Sequence, residues 1–173
     1  MHYGPLNGAA SVTYGAAPYL ASHNARGSRS RSRTPARMKN EAVIDGITVG
    51  GQPTEEELKS GRFAAVINVR GADEEGNDTG AILAGSDVAY TAVPWTVDTV
   101  TNDDIAKVRA AVDASEGPVL IHCMLAMRAA TAASIVSAEK DGSGEAGAFK
   151  KLSDAGFVAD GTPYAAVVKN YFK

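Results

Sequence analysis

Hydrophobic and polar positions alternate along this chain in two distinct ways. Short runs that are apolar almost throughout, Phe63 to Val69 and Val119 to Ile121, have the pattern of strands buried on both faces of a parallel sheet. Elsewhere apolar residues recur at helical spacing, as with Ile105, Val108 and Val112, which predict a helix over 101–115. Ala42-Val43-Ile44 and Ile47-Thr48-Val49 flank Asp45-Gly46, a pair suited to a two-residue hairpin turn. Gly50-Gly51-Gln52-Pro53 breaks that pattern, and Thr54 with Glu57 forms a capping box for a short helix that Gly61 ends. The Gly-, Asp- and Glu-rich segment 71–80 predicts a loop before a short helix reaching about Ala84, and Val88 to Val93 the next strand. Helices are expected over 126–140, 144–155 and 162–172, the last opened by Thr162-Pro163. This succession implies an α/β fold, a mainly parallel sheet of four or five strands flanked by helices.

The chain has one cysteine, and it stands where an apolar run meets an alanine-rich helix. Cys123 therefore belongs at the carboxyl end of a strand and beside a helix amino terminus, the edge at which open α/β sheets bind ligands. Unpaired amides and the helix dipole favour negative charge there. A thiol in such a place, near an arginine, commonly ionises below its usual pKa of about 8.5 and becomes a nucleophile. Arg128, after four intervening residues, has the planar fork that suits two oxygens of an oxyanion. The plainer alternative is an inert buried thiol and an arginine on a solvated helix face.

The string His122-Cys123-x4-Arg128 after Pro118-Val119-Leu120-Ile121 has Gly50-Gly51-Gln52-Pro53-Thr54 and Val66-Ile67-Asn68-Val69-Arg70 upstream. Together these resemble the beta-lactamase-hydrolase-like phosphatase family, one of the dual-specificity, tyrosine-phosphatase-like cysteine phosphatases, from about Ile44 to Phe157. The resemblance implies a cysteine-phosphatase fold in which Cys123 forms a phosphocysteine, Arg128 clamps phosphate, and His122 helps set the properties of the thiol. It also implies a general acid on the loop Pro94-Trp95-Thr96-Val97-Asp98, with Asp98 the candidate. Asp103 and Asp104 are rivals, but Thr101-Asn102-Asp103-Asp104 reads as a helix cap. The substrate-binding set expected from the loop and its neighbours is Met124, Leu125, Ala126, Met127, Arg70 and Gln52. Arg70 has the competing role of pairing with Glu74 or Glu75. The chain departs from the family's pattern in two ways. No glycine between Cys123 and Arg128 is available for a positive φ, and Ala129 stands where Ser or Thr usually assists the leaving cysteine, with Thr131 two residues late.

A four-residue Cys-to-Arg spacing also resembles rhodanese-like sulfurtransferases, so the second reading is a persulfide carried on Cys123. A third is an anion-binding module without turnover. The apolar lip of Met124, Leu125 and Met127 points to an apolar or small substrate rather than an acidic phosphopeptide.

Charge divides the chain. Residues 1–40 hold 6 basic and no acidic residues, whereas 11 basic and 20 acidic residues follow. The first 40 residues are expected to be a basic leader without a core, similar in composition to an organelle transit peptide, and 41–173 the folded domain. The Arg-Ser repeat at 29–33 could touch RNA or DNA, but an acidic domain repels phosphate backbones, so no nucleic-acid partner is expected. No apolar run approaches the roughly 20 residues that span a bilayer. With a single cysteine and with His2, His23 and His122 unclustered, neither an internal disulfide, a metal site nor a cofactor is expected. The expected partner is a phosphate monoester, or a sulfur donor, met as a soluble protein in a reducing compartment, either cytoplasm or an organelle.

Overall fold

The computed structural model describes residues 37–173, so the basic leader before Arg37, and the transit peptide and nucleic-acid readings drawn from it, lie outside the described residues. The hairpin forms at the Asp-Gly pair: β1 (Ala42–Ile44) and β2 (Ile47–Gly50) run antiparallel with Ile44 opposite Ile47. Asp45 and Gly46 take φ of 46° and 85°, the two positive values of a type I′ turn. The chain continues through α1 (Glu55–Leu58), β3 (Ala65–Asn68), α2 (Thr79–Leu83), β4 (Ala89–Ala92) and α3 (Asn102–Asp113). It ends with β5 (Val119–His122), α4 (Met127–Lys140), α5 (Gly144–Asp154) and α6 (Pro163–Tyr171). The sheet order is β1-β2-β5-β3-β4, and every pair except the hairpin is parallel.

The apolar runs explain the order. Every residue of β3 and β5 is buried, as the two central strands demand, whereas most of β4 is exposed and lies at an edge. Both capping boxes form. The Glu57 carboxylate answers Thr54, and that of Asp104 answers Thr101, which assigns Asp104 to the start of α3 rather than to proton transfer.

Helices cover both faces. Ile67, Trp95, Ile121, Ile135 and Leu152 belong to the larger core. On the other face Met38, Leu58, Phe63, Val66, Leu83 and Leu120 form a smaller one. Met38 is 4% exposed, its side chain covers Gly50, and the Gly51 amide donates to the Lys39 carbonyl at 2.7 Å. The packed body therefore reaches back past the boundary expected at residue 41. Among the described residues no helix is long and apolar enough to cross a membrane.

Candidate active site

Strand register builds the site's rim. Gly50, His122 and Asn68 align across β2, β5 and β3, so Gly51-Gln52, Cys123 and Val69-Arg70 all leave the sheet at one carboxyl edge. The Cys123 amide donates to the Gly50 carbonyl at 3.2 Å, and the Val69 amide to the His122 carbonyl at 3.0 Å. These bonds tie the three segments together. Cys123 itself is 2% exposed, at the floor of this rim.

Between Cys123 and α4 the chain turns at Ala126, which is fully buried with φ of 77°. The loop thus makes its positive-φ turn without glycine. A left-handed alanine costs roughly 1–2 kcal/mol, so its surroundings must hold it there. They do so through the carbonyls: the Gln52 amide donates to Met124 O at 3.2 Å and Asn40 Nδ2 to Leu125 O at 3.0 Å. Gly51 is required for this approach, because a Cβ there would stand 2.8 Å from Met124 O. Ala126 is the N-cap of α4 and supplies no capping oxygen, so no side chain satisfies the first-turn amides of that helix. An anion at this end is favoured by those amides and by the helix dipole. Ala126→Gly is expected to relieve the backbone and raise the unfolding free energy by about 0.5–1 kcal/mol. Denaturant midpoints check this, and a loss of stability would mean that the alanine methyl contributes more by packing than the turn costs.

Arg128 is held by one edge. Its Nη1 donates to Glu74 Oε1 at 2.6 Å and to the carbonyls of Val69 and Trp95, while Nη2 donates to Glu74 Oε2 at 2.7 Å. The other edge, Nε and the second Nη2 hydrogen, has no acceptor among the described residues, and it is the edge able to meet two oxygens of an anion. The Arg128 bond is the largest influence on Glu74 and, with Gly71 and Arg70, holds the carboxyl at about 2 against the cost of burial. The same bond is the first of the causes that raise the pKa of Arg128, and the charge of Cys123 acts in the same direction.

Arg70 and Gln52, expected in the substrate-binding set, are bonded to protein groups. The Arg70 side chain is fully buried and donates to Glu74, to Gln52 Oε1 and to the carbonyls of Glu75 and Gly76. Gln52 Nε2 donates to Thr79 Oγ1. Together they fold the 71–76 loop so that Glu74 reaches Arg128, and the Gln52 backbone braces the Met124 carbonyl. Of the remaining expected residues, Met124 and Leu125 are exposed and Met127 is half-buried.

His122 lies directly before Cys123 with its ring fully buried, and neither nitrogen has a hydrogen-bond partner. Burial, reinforced by the charge of Arg70, lowers its pKa to about 4. The nearby Cys123 backbone acts the other way but does not reach hydrogen-bond geometry. Asp98 is exposed on the loop after Trp95, where it borders a cavity of about 170 Å³ between that loop and α6. Neither Cys123 nor Arg128 lines that cavity. Thr131 donates to Met127 O inside α4 and does not replace the hydroxyl missing at Ala129. Tyr164 of α6 stands within electrostatic reach of Cys123, Arg128 and Glu74, and its pKa is raised by burial first and by Cys123 second. The sequence pattern pointed to neither Tyr164 nor the Glu74–Arg128 pair. The available signal for the pair was the i,i+4 spacing of Arg70 and Glu74.

Comparison with known proteins places residues 48–140 in the family described as beta-lactamase hydrolase-like protein, phosphatase-like domain. The Beta-lactamase hydrolase-like protein of Xylella fastidiosa is 32% identical over 100 residues, 53% of this chain and 23% of its own length. This chain therefore spans less than a quarter of that relative. Among solved structures, TpbA of P. aeruginosa superposes with a TM-score of 0.59 at 21% identity, over 80% of this chain and 92% of its own. The catalytic domain of a PP-IP phosphatase from S. cerevisiae, solved with citrate, gives 0.61 at 13% identity over 79% and 87%. At these identities the solved structures establish a common fold.

Proposed function

The chain belongs to the beta-lactamase hydrolase-like, phosphatase-like domain family, and from that membership and the geometry of its rim we propose that it hydrolyses phosphate monoesters through Cys123. One observation carries the reading. Arg128 is fixed by Glu74 along one edge, has no partner on its other edge among the described residues, and stands within electrostatic reach of Cys123 in the first turn of α4, whose amino terminus no side chain caps. That arrangement supports an oxyanion of tetrahedral shape, bound by two guanidinium N–H groups and the first-turn amides of α4.

In the proposed reaction the Cys123 thiolate attacks phosphorus, the S–P bond forms and the P–O bond to the leaving group breaks. Charge on the equatorial oxygens is held by Arg128 and the loop amides. The leaving oxygen takes a proton from Asp98, on the loop whose Trp95 carbonyl is itself bonded to Arg128. Water then attacks phosphorus, the S–P bond breaks, and thiolate and inorganic phosphate are released. His122, neutral at pH 7, supplies no positive charge to the thiolate.

The test is a quenched reaction with p-nitrophenyl phosphate, followed by mass spectrometry of the Cys123 peptide, beside an assay of sulfur transfer from thiosulfate to cyanide. A phosphoryl group on Cys123 with release of nitrophenol is the expected result. Sulfur transfer without phosphate hydrolysis would overturn the reading in favour of a persulfide carrier.

A further inference from the structure

The last helix, α6, packs on α4, and one bond fixes how they align. The Tyr171 hydroxyl, at the carboxyl end of α6, donates at 2.7 Å to Glu139 Oε2, one residue before the end of α4. One turn back, Val167 and Val168 are buried in the core that holds Ala129, Ala130, Ala132 and Ala133 of α4. Another turn back on the same face is Tyr164, the second residue of α6. Two turns cover about 11 Å, and a helical side chain leans toward its own amino terminus, so the Tyr164 ring reaches back toward the first turn of α4, where Arg128 stands. The charges felt by its hydroxyl agree with that placement: they are those of Cys123, Arg128 and Glu74.

The Tyr164 ring packs against the larger core and is half-buried, while its hydroxyl has no hydrogen-bond partner among the described residues and is not sealed from solvent. The hydroxyls of the other two described tyrosines are both engaged, Tyr90 accepting from Asn68 and Tyr171 donating to Glu139. We infer that Tyr164 is a third anion-binding group of the cradle, its hydroxyl donating to a phosphoryl oxygen held by Arg128 and the first-turn amides of α4. The inference rests on the reading of the cradle as an anion site. Burial and the charge of Cys123 raise the pKa of the phenol, so at neutral pH it keeps its proton and serves as a donor. A hydroxyl from α6 meets a need that α4 leaves open, since residue 129 is alanine and Thr131 is turned inward onto Met127 O. Tyr164 also lies beyond residues 48–140, the span matched to the family, so the group is particular to the packing of this chain.

Binding of inorganic phosphate to the full chain, measured by calorimetry, tests this without depending on turnover. Tyr164→Phe keeps the ring and its packing, and is expected to weaken phosphate binding about 10- to 100-fold, as loss of a hydrogen bond to a charged group does, with the Tm of the phosphate-free chain unchanged. Tyr171→Phe is expected to leave phosphate affinity as in the wild type. In chain carrying tyrosine isotope-labelled at Cζ, the resonance missing from Tyr164→Phe is expected to move when phosphate is added. Equal phosphate affinity in wild type and Tyr164→Phe, or a loss of affinity with no movement of that resonance in the wild type, would overturn the role of Tyr164 and leave the anion site standing. Failure of the wild type to bind phosphate would overturn the anion site, and this inference with it.

Discussion

Arg128→Lys is expected to lower kcat/KM for p-nitrophenyl phosphate by about 10²–10³-fold, and Cys123→Ser to leave no hydrolysis above the uncatalysed rate. The arginine result follows from counting donors. Nη1 and Nη2 hold Glu74 and two carbonyls, and the opposite edge remains for the substrate. A lysine is a single point of charge with three donors, and it cannot grip Glu74 bidentately while offering two parallel N–H groups to phosphate. Glu74→Gln is expected to be milder, because the amide still accepts one bond and only the fixing of Arg128 is loosened. Inorganic phosphate separates loss of binding from loss of fold. It should raise the Tm of the wild type and of Glu74→Gln, but not that of Arg128→Lys. For Cys123→Ser, the hydroxyl would need a base, and the adjacent His122 ring forms no hydrogen bond with any group among the described residues. Activity of Arg128→Lys within fivefold of wild type would show that the guanidinium edge does not carry the anion.

The parts of this site that local chemistry dictates were legible in the chain. An apolar run followed by an alanine-rich helix placed Cys123 at a strand end and Arg128 in a first helical turn, where both are found. Asp45-Gly46, Thr54 with Glu57 and Thr101 with Asp104 wrote their turn and caps in adjacent residues. The Glu74–Arg128 pair joins residues 54 apart, and nothing local distinguishes Glu74 from Asp73 or Glu75 in an acidic loop. It becomes visible only when Arg70 is seen to fold that loop back: its pairing with Glu74 was expected, but its bonds to the backbone carbonyls of Glu75 and Gly76 leave no mark on the side-chain pattern. Ala126 is the sharper case. Side-chain preference argues against a left-handed alanine, yet bonds from Gln52 and Asn40, distant in sequence, hold the loop in that turn. Tyr164 reaches the site from the last helix, whose packing position no short-range pattern reports.

Stability is expected to fall as pH drops from about 6.5 to 4, by roughly 3 kcal/mol from His122 alone. The imidazole is fully buried, and burial lowers its pKa from 6.5 to about 4. Between those values the unfolded chain holds the proton and the folded one does not, so acid favours unfolding across that window. Glu74 acts lower on the scale and with the opposite charge. Its carboxyl, held at about 2 in the folded state against 4.5, stabilises the fold above 4.5, and that stabilisation is lost as pH falls toward 2. Urea midpoints measured from pH 7 to 3 should therefore decline in two stages, the first removed by His122→Asn and the second by Glu74→Gln. The substitution also separates two descriptions of the site's floor. If the upper stage disappears in His122→Asn while phosphate still raises its Tm, the imidazole is a buried neutral support behind the cradle. A wild type that keeps constant stability from pH 6.5 to 4.5 would instead mean that the ring is solvated or partnered, and that the floor beneath Cys123 is wetter than its burial implies.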